Sequence, residues 1–279
     1  MVAAVLTYTE VDVFGRGPLT GNPVAVVHGA DGLDGDTIQA FASWTNLSET
    51  TFLLTPTDPA ADYRVRIFTP GRELPFAGHP TLGTAHAWLE AGGTPRGEGT
   101  VVQECGVGLV TLRRGEGLSF AAPGFLRHGE VDDATVEQAL AAVGVSRDRL
   151  VAASWIDNGP GWLGLRLASA DDVLAITPDA TVMGELRLGV LGPHPDGGPA
   201  DVEVRAFAGG IGVDEDPVTG SLNAGFAVWL IEEGVLPSSY VARQGTAIGR
   251  DGRVVVEQVG DDVWVGGATR TVVSGSVAL

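Results

Sequence analysis

Cysteine is nearly absent. Cys105 stands alone among 279 residues, so no intrachain disulfide is possible. Positive charge is scarce as well: 17 basic residues face 35 acidic ones, for a net charge of -18, and no basic cluster interrupts that balance. Nucleic acid and anionic membranes are therefore poor partners. No apolar run approaches the ~18 residues that a membrane-spanning helix needs. The first residues, MVAAVLTYTEVDVF, lack the basic region and cleavage pattern of a signal peptide, so a soluble cytoplasmic protein is expected. The five histidines show no metal-ligand spacing. Neither GRGPLTGNP nor GGIGVDEDP is a phosphate or dinucleotide loop. Neither a metal nor an organic cofactor is expected.

What is present is a chain that repeats itself once. RVRIFTPGRELPFAGHPTLGTAHAWLEAGG, residues 64–93, has a counterpart in VEVRAFAGGIGVDEDPVTGSLNAGFAVWLIEEG, residues 202–234. Each opens on an alternating strand, around Phe68 and Phe207, then runs through a glycine-rich acidic loop into a helix of small residues. Each helix ends in Trp-Leu: Trp88-Leu89 and Trp229-Leu230. Strand, loop and helix in one order at nearly one spacing predict a duplicated domain. The flanks agree: two strands around a Gly/Pro/Asn loop precede each copy, and further strands follow it. Helices are predicted over LDGDTIQAFASWTN, with Asp34 or Asp36 as cap, over DDVLAI, and over DDATVEQALAAVG at the boundary.

The expected fold is α+β, in two similar halves of about 1–127 and 128–279. Each is a curved, mostly antiparallel, barrel-like sheet around one apolar helix. The last strand, about 270–279, is expected to pack on the N-terminal half. TLGTAHAWL and LNAGFAVWL are apolar nearly all round, as enclosed helices must be. If the halves face each other, both helix N-termini point into one cleft and offer free N–H groups to a small carboxylate.

The candidate residues gather at these helix mouths. The first offers Gly78, His79 and Pro80; the second offers Glu215, Asp216, Pro217, Thr219, Gly220 and Ser221. Glu49, in NLSETTFLL, sits at a helix–strand junction. Trp44, Phe52 and Trp162 are candidates to wall the pocket. Singly, each has a plain structural reading: a solvated turn residue for Glu49, a buried imidazole for His79, caps for Asp216 and Ser221. As a set at two related helix mouths they point to chemistry. A Ser-His-Asp hydrolase would have its residue types, but TGSLNAG lacks the G-x-S-x-G elbow. Proton transfer needs only Glu49, Asp216 and His79 around a bound substrate. A non-catalytic small-molecule-binding protein remains an alternative.

Taken together, VDVFGRGPLTGNPVAVV, NLSETTFLL, RIFTPGRELPFAGHPTLGTA, GVDEDPVTGSLNAGFAVWL and RQGTAIGRDGRVVVE resemble the PhzF-like family, named for phenazine biosynthesis. The resemblance runs in order from about residue 8 to 257. It implies a diaminopimelate-epimerase-like fold, usually a homodimer, and cofactor-independent isomerisation of a small anionic substrate by proton shuttling. By the matching segments it implies Glu49, His79, Asp216 and Ser221 as catalytic residues. Asn22, Gly78 and Gly220 are implied as substrate-binding residues. Epimerases of the same fold use two thiols; with His79 and Gly220-Ser221 in those places, a two-thiol mechanism is excluded. On this reading Glu49, partly desolvated and so raised in pKa, removes a proton beside a conjugated system, and the double bond moves when a proton returns elsewhere. A pathway-specific isomerase or epimerase acting on an amino-acid-derived intermediate is the alternative within this reading.

Overall fold

The structure is a computed structural model and describes residues 4–208 and 213–279. The chain divides into two compact units, residues 1–121 with 266–279, and residues 122–265. Residues 209–212, the centre of the second glycine loop, lie outside the described residues.

The first unit contains β1 (Val5–Val13), β2 (Asn22–Val27), α1 (Gly35–Thr45), β3 (Glu49–Leu54), β4 (Tyr63–Phe68), β5 (Glu73–Leu74), α2 (Gly78–Glu90), β6 (Thr100–Cys105), β7 (Gly108–Arg114) and β8 (Leu118–Ala121). β1 pairs antiparallel with β2, and β2 runs parallel to β3. β3 and β4 are antiparallel, β4 and β6 parallel, and β6, β7 and β8 form an antiparallel meander. The chain's last strand, Thr269–Ala278, pairs antiparallel with β1. Among the described residues no pairing joins β8 directly to that last strand. α2 lies against β1, β2, β3, β6, β8 and the last strand. Its residues 78–85 are all buried, which explains a helix with no polar face. α1 covers the other side of the sheet through Ile38, Phe41 and Ala42, which pack with Phe52 and Phe68. Asp34 caps it, accepting the N–H of Thr37 at 2.8 Å.

The second unit contains β9 (Arg127–Gly129), α3 (Asp133–Val143), β10 (Leu150–Asp157), β11 (Trp162–Leu167), α4 (Ala170–Leu174), α5 (Ala180–Met183), β12 (Arg187–Pro193), β13 (Val202–Ala208), β14 (Val213–Asp216), α6 (Gly220–Glu232), β15 (Ser239–Gln244), β16 (Gly252–Val259) and β17 (Asp262–Gly267); β18 is the last strand already described. β10 and β11 are antiparallel, β11 and β12 parallel, β12 and β13 antiparallel, β13 and β15 parallel, β15 and β16 antiparallel. This is the pairing series of the first unit, with β9 against β10 where β18 lies against β1. α6 packs against β10, β11 and β16, and it too is buried nearly all round.

Close approach of helix to strand is set by glycine at the same helical position in both units. A Cβ on Gly83 would lie 2.3 Å from Cγ1 of Val24, and one on Gly225 would lie 2.8 Å from the carbonyl oxygen of Ile156. Each glycine follows its helix start, Gly78 or Gly220, by five residues. The fold is α+β, a mixed and mostly antiparallel sheet with few helices. Among the described residues no helix is long and apolar enough to cross a membrane.

Candidate active site

The first helix mouth is assembled by a tight loop. Residues 14–21, FGRGPLTG, leave β1 and return into β2. Asp12, buried at the end of β1, accepts the N–H groups of Thr20 at 3.1 Å and Gly21 at 2.9 Å. A Cβ on Gly21 would sit 2.1 Å from the carbonyl oxygen of Val13, so only glycine fits. Buried Phe14 adopts a left-handed φ of 68°, a conformation that costs a bulky residue of order 1 kcal/mol or more and is held by this loop's packing. The loop delivers Asn22, fully buried, to the helix mouth. The parallel register Val24↔Glu49 sets the first residue of β3 beside β2.

α2 begins at Gly78 with Ala77 as cap residue, and the first bond of the helix runs from Thr81 N–H to the Ala77 carbonyl. Pro80 is the third helical residue, a place whose N–H has no acceptor in any helix, so proline costs nothing there. His79 is 4% exposed, and its Nε2 lies 3.4 Å from Oε2 of Glu49. Burial lowers the imidazole pKa to about 3, against a smaller opposing effect of a hydrogen bond to the Pro23 carbonyl. The ring is neutral at physiological pH, so the contact with Glu49 is not a salt bridge. Two groups approach the ring's other side: Nδ2 of Asn22, 3.4 Å from Nδ1, and the Pro23 carbonyl. A proton donated by Asn22 to Nδ1 leaves the ring's own proton on Nε2, facing a Glu49 carboxylate. A ring proton given to Pro23 leaves a bare Nε2, facing a protonated Glu49. The two tautomers match the two protonation states of the acid beside them.

The second helix mouth has other chemistry. Asp216 ends β14, and Thr219 is the cap residue of α6, with Gly220 and Ser221 as its first two helical residues. The Thr219 hydroxyl donates to Oδ2 of Asp216 at 2.5 Å. Oγ of Ser221 accepts Nε1–H of Trp162 at 3.0 Å. The Ser221 hydroxyl proton is thereby left to point elsewhere. Glu215 plays no part here. It forms a bidentate ion pair with Arg205, at 2.9 and 2.6 Å, while Arg205 also donates to the carbonyl of Ile176. That buried pair ties β13 to the end of α4, which removes Glu215 from the candidates. Among the aromatic candidates, only Trp162 touches a site residue. Phe52 is core beneath α1, and Trp44 is 81% exposed, stacked on Phe41. Cys105 ends β6.

The structure thus brings Glu49, His79, Asn22 and Gly78 together at one mouth, and Asp216, Gly220 and Ser221 together at the other. Sequence reasoning missed three residues of the second mouth. Asn158 donates through Nδ2 to the Ser221 carbonyl at 2.9 Å, as Asn22 reaches the equivalent helical position in the first unit. Its Oδ1 is buried and has no hydrogen-bond partner among the described residues. The signal was available, because each asparagine sits in the Gly/Pro loop of the first hairpin. Gln244 and Asn223, both buried, bracket Thr219. No three metal-ligating side chains cluster among the described residues.

These features can be set against known proteins. The profile of the family described as "Phenazine biosynthesis-like protein" matches residues 11–276. The chain belongs to this family. It is 36% identical to Antisense-enhancing sequence 1 of Schizosaccharomyces pombe, over 96% of this chain and 97% of that one. It is 33% identical to the trans-2,3-dihydro-3-hydroxyanthranilate isomerase of Pseudomonas aeruginosa, over 91% and 90% of the two chains. A crystal structure of a PhzF-family protein from Enterococcus faecalis superposes with a TM-score of 0.81 at 25% identity, covering 99% of this chain and 100% of that one. The reaction class follows the family: the chain is an isomerase.

Proposed function

We propose that this isomerase moves a proton, and with it a double bond, within a small anionic carboxylate, without metal or organic cofactor, and that Glu49 is the proton carrier. The observation that supports this is the contact of Glu49 with a neutral, buried His79 at a helix N-terminus. A neutral imidazole adds no positive charge of its own beside the carboxylate, and its tautomers follow the acid's two states. The step is balanced within the substrate. Glu49 takes a proton from carbon, the electron pair enters the conjugated system, and a proton returns at a second carbon.

Asp216, His79 and Ser221 serve that reaction by holding polar groups and relaying protons. Asn22, Gly78 and Gly220 bind the substrate, the glycines through N–H groups that no helical acceptor occupies. All 17 basic residues are arginine, so no lysine is present to form a Schiff base with a carbonyl substrate. On this reading the protein is cytoplasmic and acts on small molecules as a homodimer; light scattering of the purified chain checks the dimer.

The test is solvent-proton exchange in D₂O, read by mass spectrometry. The first substrate to try is trans-2,3-dihydro-3-hydroxyanthranilate, the compound named for the Pseudomonas relative. A panel of unsaturated amino-acid-derived carboxylates follows. Glu49→Gln keeps the shape and removes the base. It is expected to lower turnover by about 10²-fold or more with binding largely kept. Near-normal exchange in that variant ends the assignment.

A further inference from the structure

We infer that Gln244 is a positioning residue for Asp216, acting through the hydroxyl of Thr219; the inference rests on the reading that Asp216 takes part in the reaction. Gln244 ends β15 and is fully buried. Its amide is saturated. Nε2 donates to the backbone carbonyl of Asp216 at 3.1 Å and to Oγ1 of Thr219 at 2.9 Å. Oε1 accepts the N–H of Thr219 at 3.0 Å and Nδ2 of Asn223 at 2.9 Å. Both donors and both acceptor sites are used, so the orientation of the amide is fixed by its neighbours. A flipped amide would set two N–H groups against two N–H groups.

The consequence falls on Thr219. Its oxygen receives a proton from Gln244, and its single hydroxyl proton then has one destination among these contacts, Oδ2 of Asp216, 2.5 Å away. Asn223 steadies the arrangement by donating also to the Thr219 carbonyl at 2.9 Å. Gln244 thus holds Asp216 twice, directly by its main chain and through Thr219 by its side chain. The direction of the second contact is set by an amide that touches no atom of the carboxylate. The cap residue's own N–H is also taken by Gln244, so the N–H groups without a helical acceptor at this mouth are those of Gly220, Ser221 and Leu222.

The test needs no substrate. Aspartate is labelled with ¹³C at the side-chain carboxyl, and the Asp216 signal is identified by its disappearance in Asp216→Asn. Thr219→Val removes the hydroxyl and keeps the volume; Thr219→Ser keeps the hydroxyl. Gln244→Glu keeps the acceptor for Thr219 N–H and Asn223 but has no N–H, so the Thr219 proton turns toward the new carboxylate and leaves Asp216. Should the buried charge unfold the chain, Gln244→Met replaces it. The expected result is a displaced signal in Thr219→Val and in the Gln244 variant, in the same direction, with Thr219→Ser at the wild-type position. The double variant moves it no further than Thr219→Val alone, because both act through one contact. A signal that Thr219→Val moves and the Gln244 variant does not would overturn the inference, as would additive displacements.

Turnover on the substrate returned by the exchange screen separates this inference from the reading beneath it. A fully active Asp216→Asn beside displaced signals removes Asp216 from the reaction and, with it, Gln244's claim on catalysis. An impaired Asp216→Asn beside unmoved signals leaves the reaction standing and removes Gln244.

Discussion

The two helix mouths share a scaffold and differ in what they present. α2 and α6 both start with glycine, both carry a second glycine five residues on, and both receive an asparagine from the preceding hairpin loop. The first mouth then supplies a half-buried carboxylic acid beside a buried imidazole. The second supplies a carboxylate held by a hydroxyl, a serine held by an indole, and a buried amide network behind both. The difference teaches a division of labour. On the proposed function, the group that gains and loses a proton from carbon is set beside a neutral partner that can follow its state. The groups proposed to orient the substrate are each held by a neutral hydrogen-bond donor.

The largest expected effect breaks this comparison if it fails. Glu49→Gln should abolish deuterium wash-in to recovered substrate and lower turnover by about 10²- to 10⁴-fold. Asp216→Asn should slow product formation while recovered substrate still gains deuterium. Equal wash-in losses in both variants would put the mouths on the same footing and end the division.

His79 gives the next effect, on stability. Its folded pKa, about 3, lies below the ordinary histidine value of 6.5. The unfolded chain takes up a proton in that interval while the folded one does not. The stability due to the neutral, buried ring is therefore full above about pH 6.5 and is lost as pH falls toward 3. The slope is at most about 1.4 kcal/mol per pH unit. Urea denaturation from pH 7 to 4 measures it, with His79→Gln as the control that should flatten the curve. An unchanged slope in that variant removes His79 as its source.

The paired glycines sharpen the comparison at the level of packing. Alanine at 83 drives a methyl into Val24, with Val13 also close; alanine at 225 drives it into the main-chain oxygen of Ile156. Each should cost roughly 1–3 kcal/mol, read as a lower denaturation midpoint. Val24 can shift by rotating its side chain or with β2, whereas the oxygen at Ile156 moves only with β10. Retention of full stability by Gly225→Ala would show that the second unit's helix is less tightly held than the geometry indicates.

These contrasts also separate what was legible in the sequence from what was not. The order of strand, loop and helix was legible because both copies keep it, and Asp34 and Asp132 announce their helices by the ordinary capping pattern. Glu49 was carried by the resemblance of its NLSETTFLL segment, and His79 stood out because a polar residue between glycine and proline at a helix mouth has little structural reason to be there. Glu215 misled for the same reason. Its partner Arg205 is ten residues away on β13, and only the strand pairing brings the two together. Gln244 was invisible because its four contacts reach back 21 to 28 residues, to three different positions around one cap. Trp44 looked like a pocket wall because it is large and near Glu49 in sequence. Its place on the last turn of α1 puts it at the surface.

The smallest expected effect tests whether the second mouth works through its hydrogen bonds at all. Trp162 is nearly buried, and its indole N–H meets the Ser221 hydroxyl at 3.0 Å. Trp162→Phe keeps most of the packing and removes that donor. A neutral hydrogen bond contributes about 0.5–1.5 kcal/mol, so if Ser221 holds the substrate, kcat/KM should fall roughly 2- to 12-fold. The freed Ser221 oxygen can turn and donate where it once accepted, so the loss should appear mainly in kcat, as misdirection of a hydroxyl that is still present. Ser221→Ala should then lose at least as much, and combining the two should add little, since both act on the same oxygen. A Trp162→Phe variant that is less stable yet turns over at the wild-type rate would reduce Ser221 to a helix-start residue. The second mouth would then rest on Asp216 alone.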